Sequence, residues 1–227
     1  MSLIAKVEAL EVLDSRGRPT VEVEITCDDG ARGTAIVPSG ASTGASAAWE
    51  LRGGGSVRYD GRGALSACRH VAQAIAPEIL GLDPADQSAL DERLIHLDGT
   101  PQKQRLGANA ILGVSLAAAH AAAASAAVPL FVHFHRLWTR YRREAAKQHG
   151  DPPPQAAAPR MPLPMTNMIS GGLHAGGNLD FQDFLVSPHG APDYATGLEW
   201  IVRIYNRLRR ILRDAGFEGR LVGDEGG

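Results

Sequence analysis

PLPMTNMISGGLHAGGNLDFQDF, residues Pro162–Phe184, is the stretch on which the fold turns. It reads as a short apolar strand over Leu163–Ile169, a glycine-rich loop, and a second apolar strand over Phe181–Ser187. Gly171, Gly172, Gly176 and Gly177 surround His174. Glycine costs backbone entropy, so this density has a cause. One cause is a mobile loop whose backbone approaches a ligand closely; the other is a long hairpin turn. Gln182 and Asp183 follow at once, which places an imidazole, an amide and a carboxylate within ten residues. The last residues repeat the design: Arg220–Gly223 reads as a strand, closed by Asp224, Glu225, Gly226 and Gly227. Polar groups at strand ends beside flexible loops are how parallel α/β barrels build their sites.

The 227 residues allow one or two domains, and 44% hydrophobic with 21% charged residues supports a packed core. A net charge of −2 supplies no global field toward nucleic acid or an anionic membrane. Two cysteines, Cys27 and Cys68, imply no disulfide framework and fit a reducing compartment, hence the cytoplasm. The opening MSLIAKVEAL carries Lys6 and Glu8 in strand-like alternation, unlike a signal peptide. The apolar run Ala110–Val128 is mostly alanine, which gains little from lipid, and it reads as a helix of the core.

Along the chain, Ile4–Leu13, Thr20–Cys27 and Gly33–Val37 predict a three-stranded antiparallel sheet, with a turn over Asp14–Pro19 and a hairpin at Asp28-Asp29-Gly30. Pro38–Gly44, PSGASTG, is a loop dense in hydroxyls, suited either to turns and caps or to a hard cation. Helices are expected over Ala64–Ala76, ended by Pro77, over Pro84–Leu97, and over Gly107–Val128. Residues 1–128 therefore form an α+β domain with its helices on one face of the sheet. Leu130–Gln148 spaces Leu130, Phe131, Phe134, Leu137, Trp138 and Tyr141 as a helix face. Its opposite face carries Arg136, Arg140, Arg142, Arg143 and Lys147, either a solvated face or a basic patch. His133 and His135 are too isolated for a metal site. Residues 129–160 end in the linker DPPPQAAAPR, and residues 161–227 begin a βα-repeating domain with an amphipathic helix over Asp193–Ala215. A closed barrel takes eight strands and about 250 residues, so the barrel is expected to be incomplete here.

Several stretches together resemble enolase. They are DSRGRPTVEVE (Asp14–Glu24), VPSGASTG (Val37–Gly44), ELR (Glu50–Arg52), LDGT (Leu97–Thr100), LGANAILGVSLA (Leu106–Ala117), PLPMTNMISGGLHAGG (Pro162–Gly177), FQDF (Phe181–Phe184) and VGDEGG (Val222–Gly227). Their joint order is specific over most of the chain; the exception is about Arg136–Arg160, where the family usually has a shorter connection. The resemblance implies an α+β N-terminal domain followed by the first part of an enolase-type α/β barrel. It implies Mg²⁺-dependent dehydration of 2-phosphoglycerate to phosphoenolpyruvate in glycolysis, and a homodimer. By the same resemblance Glu225 is the general acid at the leaving hydroxyl. Gln182 and Asp183 lie at the substrate, His174 closes over it, and Ser42 ligates a second Mg²⁺. Arg16 matches a position near the family's dimer interface.

The departures are Asp183 for a glutamate that pairs with the general acid, Ala47 for a glutamate, Gly53 for an aspartate, and Arg18 for an asparagine. The base lysine and the main carboxylate ligands of the family lie on later barrel strands and have no counterpart before Gly227. The 227-residue chain alone is therefore expected to be inactive. Two alternatives stand beside this one: a catalytically dead paralogue acting as a binding protein, and an Mg²⁺-dependent lyase of the wider superfamily acting on another acid.

Overall fold

The computed structural model describes residues 2–40, 44–53, 57–152, 158–177 and 179–218, without the side chains of Leu173 and His174. The chain divides into two compact units, Met1–Pro159 and Arg160–Gly227.

In the first unit β1 (Ile4–Leu13), β2 (Pro19–Cys27) and β3 (Arg32–Ile36) form an antiparallel sheet in the order β1-β2-β3. Strand β2 alternates as its sequence asks: Val21, Val23 and Ile25 are fully buried while Glu22, Glu24 and Thr26 reach the margin. The Asp14 carboxylate accepts the backbone N–H groups of Arg16 (2.9 Å) and Arg18 (2.8 Å), and Gly17 takes φ +71°, so the β1–β2 turn closes on its own residues.

Helices follow the sheet. A 3-10 turn spans Arg58–Gly61, and α1 (Leu65–His70) runs through a π turn, Val71–Ile75, into α2 (Ala76–Ile79). Pro77 thus does not end the helix as its sequence position suggests. It sits in the first turn after the wide π turn, where its missing N–H costs least. Helix α3 (Gln87–Asp98) starts after Pro84, because Asp83 turns the chain first, its carboxylate accepting the Ala85 N–H at 2.8 Å. Asp86 then caps the helix.

Helix α4 (Ala108–Ser125) is long and apolar enough to cross a membrane by length and composition, and here it lies on β2 and β3. Small residues set that distance: a Cβ on Gly33 would meet the Ala121 nitrogen at 2.1 Å and the Ala117 oxygen at 2.2 Å. The alanine-rich rod is what lets helix and sheet backbones approach. Helix α5 (Leu130–His149) extends to Gly150, which ends it at φ +73°. Its Arg140, though exposed, pairs with Asp86 of the α3 cap at 3.1 Å.

In the second unit β4 (Thr166–Ser170) and β5 (Asp183–Val186) pair antiparallel, with Ser170 opposite Asp183. This corrects the expected βα repeat at this point. A parallel pair usually needs a crossover helix, whereas the described part of this connection holds a 3-10 turn, Gly172–Ala175, and the strands pair with Ser170 opposite Asp183. Helix α6 (Tyr194–Asp214) is capped by Asp193, which accepts the Thr196 N–H at 2.8 Å. Of its expected apolar face, Ile201 is buried and Tyr205, Leu208 and Leu212 half-buried, while Leu198, Val202 and Ile204 are exposed. No closed barrel forms among the described residues, and the strand expected at Arg220–Gly223 lies outside them.

Candidate functional site

The glycine loop of the second unit is built by backbone demand. A Cβ on Gly171 would lie 1.8 Å from the Phe181 carbonyl oxygen, so only glycine fits where the loop closes. The Gly171 N–H donates to the Gln182 carbonyl at 2.5 Å and the Gly172 N–H to the Leu179 carbonyl at 2.9 Å. Gly172, Gly176 and Gly177 take φ of +57°, +66° and +77°, a region other residues rarely enter. The hairpin alternative from the sequence is thus the geometry found, and the glycines serve it. The backbone of His174 lies in the 3-10 turn between these glycines.

Gln182 stands at the root of that loop. A Cβ on Gly172 would lie in ordinary contact with its Cα, Cβ and Cγ at 3.8–3.9 Å, so the two residues pack side by side at the loop's base. Asp183 begins β5, and its carboxylate accepts the Asn167 amide at 2.8 Å. The same amide donates to the Ser170 hydroxyl at 2.8 Å, and the Asn167 carbonyl oxygen accepts the Phe184 N–H at 3.3 Å. Asn167 therefore staples β4 to β5 and fixes the Asp183 carboxylate toward β4. Sequence reasoning passed over Asn167; the signal was an amide inside an otherwise apolar strand.

The hydroxyl loop of the first unit leaves β3 through a clamp. The Thr20 hydroxyl donates to the Val37 carbonyl at 2.7 Å. Arg16 donates to the Ser39 carbonyl at 2.5 Å, and Arg52 donates to the Ser39 hydroxyl at 2.6 Å while pairing with Glu50 at 2.9 Å. Arg52 also binds the Pro19 carbonyl. A cleft of about 490 Å³ opens beside the clamp, with Arg18, Arg52 and Arg62 facing Glu50 and Asp60. The ELR motif thus holds the loop at its root, a role its sequence did not disclose.

Other motifs prove architectural. The Asn109 amide both accepts from and donates to the Leu51 backbone, at 3.1 and 3.0 Å, as a strand partner would. Burial would push the Asp98 carboxyl up, but the Thr100 hydroxyl and the Leu106 and Thr100 N–H groups outweigh it and hold it below its usual range. Cys27 and Cys68 are free and buried, and burial pushes the Cys68 thiol up to about 11, which keeps it from acting as a nucleophile near neutral pH.

The structure therefore brings Gln182 to the loop that carries His174, and sets Asp183 beside Asn167. Ser42 and Glu225 lie outside the described residues, as does the His174 side chain. Among the described residues no three of His, Cys, Asp and Glu come together as a metal site. Two family models match: the enolase N-terminal domain over residues 4–134, and the enolase C-terminal TIM barrel domain over residues 158–227. With both domains matched in order, over more than half the chain by the first alone, this protein belongs to the enolase family.

Proposed function

We propose that this protein is a lyase that removes water from 2-phosphoglycerate to give phosphoenolpyruvate. The observation that carries the proposal is the tandem match to both enolase domains. Loss of the C2 proton beside a carboxylate builds an ene-diolate, and the C3 hydroxide then needs a proton to leave as water. Glu225 is assigned that proton transfer. Gln182 binds substrate through its amide, Asp183 works beside it, and His174 closes over it. Mg²⁺ is the proposed cofactor, reached by Ser42, and would hold the charge of the ene-diolate. A cytoplasmic homodimer completes the proposal; the free, buried Cys27 and Cys68 support a reducing compartment.

The 227-residue polypeptide alone is expected to show no turnover, because no base lysine or set of ligand carboxylates is assignable within it. The test is to graft these residues onto the remaining barrel of an active enolase and follow phosphoenolpyruvate by ultraviolet absorbance. The graft turns over, and Glu225→Gln lowers its rate on the order of 10²–10⁴-fold. Asp183→Glu restores a methylene and raises the rate on the order of 10²-fold, the cost of about 1 Å of misplacement. A folded graft that is silent both as written and as Asp183→Glu overturns the proposal.

A further inference from the structure

Between α3 and α5 the first unit carries a groove of about 390 Å³, lined by Asp91, Phe134, Leu137, Trp138, Tyr141 and Glu144 among others. Residues 137–144 of its α5 wall fall outside both enolase matches, so the family's chemistry does not account for them. The aromatic side chains repeat at helical spacing and stay open to solvent: Phe131 is 62% exposed, Trp138 57% and Tyr141 62%. The Trp138 and Tyr141 rings stack at 5.7 Å.

The charges beside these rings are unbalanced. Among the lining residues Asp91 and Glu144 set two carboxylates against one guanidinium, Arg140, which lies 3.9 Å from Glu144 and also 3.1 Å from Asp86 beside the groove. Among the described residues Asp91 accepts from a neutral donor, the Gln87 amide at 3.0 Å. That amide nitrogen also donates to Ser115, while the Gln87 oxygen, buried in the same wall, has no hydrogen-bond partner among the described residues. Exposed π faces and one excess carboxylate together fit a cation with several donors.

We propose that the α3–α5 groove is a docking surface for an arginine-bearing basic peptide segment of a protein partner. A guanidinium stacks on the Trp138–Tyr141 pair and reaches Asp91 and Glu144; its planar form suits rings and carboxylates together better than a lysine ammonium does.

The full chain is titrated calorimetrically with hexa-arginine and hexa-lysine peptides, with sedimentation to follow self-association. Hexa-arginine binds, tighter than hexa-lysine on the order of threefold, and Trp138→Ala weakens it roughly tenfold or more. The double variant Asp91→Asn/Glu144→Gln does the same while keeping a polar helix surface, and it serves if Trp138→Ala does not fold. Absence of binding, equal affinity for the two peptides, or affinity untouched by either variant overturns the proposal. So does a concentration-dependent dimer that Trp138→Ala abolishes, which would assign the groove to a second copy.

Discussion

In the first unit Val21, Val23, Ile25, Val71, Ile75, Leu90, Leu94 and Val114 are fully buried; in the second, Met168 and Ile201 are buried while Phe181, Phe184, Leu185 and Trp200 are exposed. The motifs shared with the family follow the same division. LDGT and the asparagine of LGANAILG clamp loops onto a core, through Asp98 and Asn109. The glycine loop of the second unit rests on backbone shape, with Gln182 and Asp183 at its edge. The lesson is that one set of motifs is held by contacts to a buried core and the other by the backbone shape of a solvent-facing hairpin.

The largest effect that would break this contrast is in the core. Leu94→Ala is expected to cost about 2–5 kcal/mol in urea unfolding, against roughly 0.5 kcal/mol or less for Phe184→Ala on the exposed strand. Equal costs would end the distinction. Gly33→Ala meets helix backbone and is expected to cost about 1–3 kcal/mol globally. Gly171→Ala forces the hairpin open and should speed amide exchange in β4 and β5 while leaving the first unit's melting unchanged.

Two titrations sharpen the first unit's side. Asp98 is held below its ordinary range, so its contribution is present above about pH 3.9 and lost as pH falls through its folded value. Asp98→Asn should cost about 1–3 kcal/mol at pH 7, with the gap to the parent closing in acid. His133 is buried on α5, and burial, with Arg136 beside it, holds its imidazole below the usual range. The unfolded chain takes up that proton first, so stability falls as pH drops below about 6.5. His133→Leu should flatten this slope in melting temperatures between pH 7 and 5, a smaller effect than that of Asp98→Asn.

Much of the first unit was legible in the sequence, because a period of two in β1 and β2 and a run of alanines in α4 are local signals. The course through Pro77 was not, since the π turn that admits it depends on packing around Val71 and Ile75, both fully buried. The pairing of β4 with β5 was left open between two readings because apolar strands look alike in parallel and antiparallel sheets; the connection decided it. For the site, residue types pointed to Gln182 and Asp183, but the staple by Asn167 and the clamp of Ser39 by Arg16 and Arg52 arise from chain segments brought together only by folding.

The most direct test is a crossed pair of variants in the barrel-completed graft, each measured for unfolding free energy and for turnover per folded molecule. Asn109→Ala is expected to lower stability by about 1–3 kcal/mol with turnover unchanged, and Gln182→Ala to lower turnover with stability within about 0.5 kcal/mol. If Gln182→Ala instead destabilises as much as Asn109→Ala and leaves turnover intact, the glycine loop is architecture and the assignment of chemistry to the second unit is wrong.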